Sequence, residues 1–62
     1  MKRKEFMQHL RQYGCFIKRE GSSHTLVNNI KNGKIQAVPR HIEIDNFLVK
    51  KICDRLEIPK PF

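Results

Sequence analysis

The dipeptide Asn32-Gly33, inside the run KNGK, constrains the fold of this chain more than any other feature. Asn-Gly readily takes the positive φ angles that a tight turn between twisted antiparallel strands requires, so the segments on either side are expected to pair as a hairpin. Before it, HTLVNN carries the strand formers Leu26 and Val27; after it, KIQAV is a second run, stopped by Pro39, whose missing N–H cannot donate to a ladder. Further upstream, CFIKRE is too short for a helix and rich in strand formers. Alternation places Phe16 and Lys18 on one side of it and Cys15, Ile17 and Arg19 on the other. The connecting EGSS is a turn by composition.

Two amphipathic segments bracket these runs. In KRKEFMQHLRQYG the apolar residues Phe6, Met7, Leu10 and Tyr13 recur at spacings of three and four, one stripe of a helix, and Gly14 supplies the left-handed residue that commonly ends one. In IDNFLVKKICDRLEI the residues Ile44, Leu48, Ile52 and Leu56 repeat every four positions, flanked by Phe47, Val49 and Cys53. Asp45 is a natural N-cap, and Pro59 prevents continuation. The order is α-β-β-β-α. The fold class expected is α+β, a three-stranded antiparallel sheet with two helices on one face and the other face open.

A chain of 62 residues buries too little surface for two cores, so residues 1–62 are expected to form one domain. Its two cysteines, Cys15 and Cys53, cannot build the dense disulfide framework of a small secreted protein, and no stretch resembles a secretory or membrane-spanning segment. A reducing cytoplasm fits that usage. Thirteen Lys and Arg against six Asp and Glu leave a formal charge of +7, spread through every segment. Such a field attracts polyanions, and RNA, DNA or an acidic protein partner all satisfy it. The cations Lys2, Arg3 and Lys4 oppose the dipole of the first helix, so solvation or an anionic partner must account for them.

Cys15, His24, His41 and Cys53 could in principle hold zinc, but no close Cys-x2-Cys or His-x3-His pair is present, and both cysteines have apolar explanations. There is no glycine-rich phosphate loop, no spacing that suggests paired carboxylates and no Ser-His-Asp arrangement, so neither a metal nor a small-molecule cofactor is expected. Histidine on a basic body remains. RNA cleavage needs a base for the ribose 2′-OH, an acid for the leaving oxygen and cations for the phosphorane, without metal or cofactor. Of the three histidines, His9 lies in the first helix between apolar positions, where a surface or boundary role suffices. His41 follows Pro39 and Arg40, a position open to catalysis, capping or neither. His24 closes the run Gly-Ser-Ser-His, which an ordinary turn with a capping serine would also produce.

REGSSHTLVNN, followed by KNGKIQAVPRHIEI and a closing amphipathic helix, resembles the HicA family of toxins over nearly the whole chain. The resemblance rests on a Gly-Ser pair followed one residue later by histidine, joined to Val38, Pro39, Arg40 and His41, and on size and element order. It implies a fold similar to the double-stranded-RNA-binding domain, and an mRNA interferase that cleaves RNA without a metal. It further implies an acidic HicB-type antitoxin partner that covers the active site. By position, the family's catalytic histidine falls on His24, with Gly21, Ser22 and Ser23 in the turn that presents it. Lys18, Arg19, Arg40 and His41 border that turn or the strand leading from it and are the candidate RNA contacts. A non-catalytic RNA-binding module, with His24 stacking on a base, is the alternative.

Two departures from the family pattern carry expectations. Glu57 stands where family members often have glycine after the closing helix, so either the left-handed cap is lost or it is strained by about 1 kcal/mol. Lys50 and Lys51 lie inside the second helix rather than in a cluster at its start, which favours single-stranded mRNA over a duplex.

Overall fold

The computed structural model describes residues Met1–Phe62, all of the chain. Helix α1 (Arg3–Gln12) leads into strands β1 (Cys15–Glu20), β2 (His24–Asn29) and β3 (Ile35–Pro39), and helix α2 (Asn46–Leu56) follows. The strands form one antiparallel sheet in the order β1-β2-β3, so β2 is central and β1 and β3 are both borders. The expected α+β class and α-β-β-β-α order are those of the structure.

Each helix is built as its sequence requires. Phe6, Met7 and Leu10 of α1 are buried, and Gly14 takes φ +80 just beyond the C-cap Tyr13. Asp45 caps α2 by accepting from the Leu48 amide at 3.3 Å. The buried stripe of α2 differs from the expected repeat of four: Val49, Ile52, Cys53 and Leu56 are buried, Leu48 is half-buried, and Phe47 is exposed. Ile44 is buried from the segment before the helix. A strict four-residue spacing drifts around a helix of 3.6 residues per turn, and tertiary packing selects the 49/52/53/56 face.

Both helices pack on one face of the sheet, where the core gathers Phe6, Leu10, Cys15, Val27, Val38 and Val49 with the α2 stripe. On β2 the residues Thr25, Val27 and Asn29 are buried, while His24, Leu26 and Asn28 turn to the opposite, uncovered face. Phe16 pairs with Asn28, and Ile35 and Ala37 lie across from Asn28 and Leu26, so this open face is largely apolar. The β1–β2 register shifts between Ile17 and Arg19, which brings Arg19 opposite Leu26 on the open face. The simple alternation expected for CFIKRE therefore breaks at Lys18, and of the six residues in β1 only Cys15 is buried.

Two further expectations are revised. The Asn32-Gly33 hairpin exists, but with one positive φ angle rather than several: Gly33 alone takes it, and its amide donates to the Asn29 carbonyl at 2.7 Å. Asn29 and Asn32 instead use their side chains. Each accepts from a backbone amide two residues ahead, and each donates to the Leu56 carbonyl, at 2.8 and 3.1 Å respectively. β3 ends at Pro39 as expected, but Pro39 is itself paired, with His24, at a border where a missing donor is tolerated.

Beyond α2, Glu57 adopts the left-handed conformation (φ 61, ψ 46) that glycine would favour. The cap is retained rather than frayed. The Ile58 amide donates to the Cys53 carbonyl, Ile58 packs into the core, and Lys34 pairs with Glu57 at 3.2 Å. No helix is long and apolar enough to cross a membrane.

Candidate functional site

The turn between β1 and β2 sets the position of His24. The Gly21 amide donates to the His24 carbonyl at 2.8 Å, closing Gly21, Ser22 and Ser23 into a tight reversal. A Cβ at Gly21 would lie 2.8 Å from that same carbonyl oxygen, closer than real Cβ contacts come, so glycine is required by close approach. His24 is then the first residue of the central strand, paired with Pro39 and exposed on the open face.

Its Nδ1 lies 3.2 Å from Ser23 Oγ. A hydroxyl at that nitrogen fixes the ring's orientation and leaves Nε2 free to exchange a proton with a ligand. The imidazole borders a recess of about 240 Å³ lined by Arg19, Gly21, Ser22, Ser23, His24 and Leu26. The register shift at Lys18 is what carries Arg19 to this recess. An exposed imidazole, a guanidinium and two hydroxyls around one recess can bind a phosphodiester and move a proton beside it.

The turn is braced from behind by residues whose role sequence reasoning did not find. Arg3 donates from Nη2 to Thr25 Oγ1 at 2.6 Å and from Nε to the Pro39 carbonyl at 3.1 Å. Thr25, fully buried, donates in turn to Glu20 Oε1 at 2.6 Å. Arg40 approaches the same carboxylate oxygen at 3.6 Å and donates from Nη1 to the Gly21 carbonyl at 2.9 Å. The Arg40 amide also donates to the Ser23 carbonyl. One chain of polar contacts thus runs from α1 through the central strand to both ends of the turn, holding its backbone in one geometry. Only long-range contacts assemble it, so no local pattern announces it.

Of the residues expected at the site, Arg19, Gly21, Ser22, Ser23 and His24 line the recess together. Arg40 reaches it through the Gly21 carbonyl, whereas Lys18 and His41 are exposed outside it. His9 is half-buried; its Nε2 is 2.7 Å from the Pro59 carbonyl and its ring lies 4.9 Å from that of Tyr13, which accounts for it structurally. Cys15 and Cys53 are buried and free. Burial pushes both thiols up, Cys53 to about 11, against the opposing influence of Lys31 and Lys60 respectively. Neither is poised as a nucleophile.

Comparison with curated proteins and with solved structures finds no match. The sequence model of one protein family, described as the HicA toxin of bacterial toxin-antitoxin, matches residues 3–58, which include every element of the fold and the whole of the recess.

Proposed function

This chain belongs to the HicA toxin family, and from that premise we propose that it is an endoribonuclease acting on mRNA, with His24 as its proton-transfer residue. The observation that carries the reading is the exposed His24 ring, oriented at Nδ1 by Ser23 and set in a recess shared with Arg19. In the reaction, Nε2 of His24 takes the proton of a ribose 2′-OH as that oxygen attacks the adjacent phosphorus. The P–O5′ bond breaks, a cyclic phosphate forms, and the 5′-oxygen leaves with a proton from His24 after exchange or from solvent. Arg19 stabilises the charge that develops on the phosphorane. In this scheme the base and the cation are side chains of the chain itself, His24 and Arg19.

Family membership implies an antitoxin partner. An acidic HicB-type protein is the form this reading expects, because the open sheet face offers apolar Phe16, Leu26 and Ile35 beside His24 on a chain of charge +7. A partner seated there would cover the imidazole.

Purified protein incubated with labelled RNA in EDTA tests the reaction. Cleavage leaving a cyclic phosphate, reduced about 10²- to 10⁴-fold in His24→Ala, is the expected result. Equal cleavage by His24→Ala, or binding of RNA with no cleavage by the wild-type chain, rejects the catalytic role.

A further inference from the structure

A second and larger concavity, of about 530 Å³, lies where the start of α1 meets β1 and the segment following β3. Its rim is cationic and its floor is aliphatic: Lys2, Lys4, Arg11 and Arg40 surround Met7 and Ile17, with Ile42 at one side. The backbone builds it from segments distant in sequence. The Arg3 amide donates to the Ile42 carbonyl and the Ile44 amide to the Met1 carbonyl, each at 2.8 Å, which draws residues 2–4 alongside residues 42–44. Ile17 is on the helix side of β1 but α1 does not reach over it, and it stays 47% exposed as the floor of the cleft.

The cations divide by whether they already have partners. Arg3 also lines the cleft but is committed to Thr25 and Pro39. Arg40 is partly engaged by Glu20 and Gly21. Lys2, Lys4 and Arg11 are exposed and take part in none of the molecule's ion pairs, and no carboxylate lines the cleft. Five cations stand among the eight lining residues, and three of them, Lys2, Lys4 and Arg11, have no carboxylate partner, an arrangement that suits a polyanion. A protein interface is a poorer fit, since lysine is depleted from interface cores.

The cleft is also joined to the histidine recess. Arg40 lines the cleft, and its guanidinium donates to the carbonyl of Gly21, which lines the recess. We propose that this cleft is a second RNA subsite, in which Lys2, Lys4 and Arg11 hold backbone phosphates of nucleotides flanking the cleaved bond while Met7 and Ile17 contact ribose and base. The inference rests on the RNA-cleaving reading, and it explains cations that oppose the dipole of their own helix.

The test measures binding apart from chemistry, in the full chain carrying His24→Ala, using fluorescent single-stranded RNAs long enough to fill the recess alone or both sites. Removing three phosphate contacts with Lys2→Gln, Lys4→Gln and Arg11→Gln should weaken the longer RNA about 100-fold at 0.1 M salt. The slope of log affinity against log salt should fall by about 2, at roughly 0.7 per contact. The shorter RNA should bind as before, and Lys2→Arg with Lys4→Arg should retain the slope. Unchanged affinity and slope for the longer RNA overturn the subsite. So does weakened binding of the antitoxin with RNA binding intact, which would make the cleft a protein-docking surface. Failure of the wild-type chain to cleave RNA would reject the catalytic reading alone, because the salt slope does not depend on cleavage.

Discussion

Arg3 and Thr25 are joined by a 2.6 Å hydrogen bond that links the first turn of α1 to the buried side of the central strand, directly behind His24. Thr25→Val keeps the side-chain shape but removes both the acceptor for Arg3 and the donor to Glu20. A loss of about 1–3 kcal/mol in urea unfolding is expected, because a guanidinium and a carboxylate lose a partner at a part-buried site. Cleavage should fall by more than the unfolded fraction explains, since the same contacts hold the Gly21–His24 turn. Unchanged stability and cleavage would show that the contacts are incidental.

Gly21→Ala should be more damaging to activity than its size suggests. The added methyl meets the His24 carbonyl at 2.8 Å, and that oxygen belongs to the backbone of the catalytic candidate itself. Destabilisation of about 1–3 kcal/mol is expected, together with altered backbone amide shifts at Ser23, His24 and Thr25 by NMR. Ser22→Ala, free of this clash, is the control and should leave those shifts in place.

At the end of α2, Glu57→Gly should stabilise the protein. Relief of the left-handed conformation contributes about 1 kcal/mol, while the exposed pair with Lys34 gives back only a fraction of that. The net rise, about 0.5 kcal/mol, can be read from the urea midpoint. A decrease would mean that the Lys34 contact outweighs the strain.

Cys53 ties stability to alkaline pH. Its folded pKa is raised by burial from 9.0 to about 11, so between those values the unfolded chain releases a proton that the folded chain retains. Fewer protons bound in the unfolded state means that stability falls as pH rises through this window and is unaffected by this group below it. Cys53→Ala should flatten the fall. At neutral pH both thiols should resist alkylation in the native protein and react on unfolding.

Much of the architecture is written in short-range patterns. β1 and β2 occupy CFIKRE and HTLVNN because β-branched and aromatic residues cluster there between turn formers, and Gly14 and Asp45 mark helix ends by local chemistry alone. What local pattern could not settle depends on contacts between distant segments. Val49 rather than Leu48 is fully buried, with Leu48 packed at the margin of the core, because the sheet selects which side of α2 it receives. The hairpin loop is shaped by Asn29 and Asn32 reaching Leu56, more than twenty residues away in sequence. At the candidate site, His24 and its glycine-serine turn were legible as a motif. The register shift that delivers Arg19, and the Arg3–Thr25–Glu20 chain beneath, were not, since neither leaves a periodic trace.

The two borders of the sheet have a consequence for the toxin once it is free of its partner. An unpaired strand edge is a template on which other chains can add, and small β-rich proteins aggregate by that route. Here the offset at Lys18 spoils the straight ladder on one side, and Pro39 withholds a donor on the other. A molecule without its antitoxin thereby offers other chains two poor templates, and its backbone is guarded against strand addition at either border.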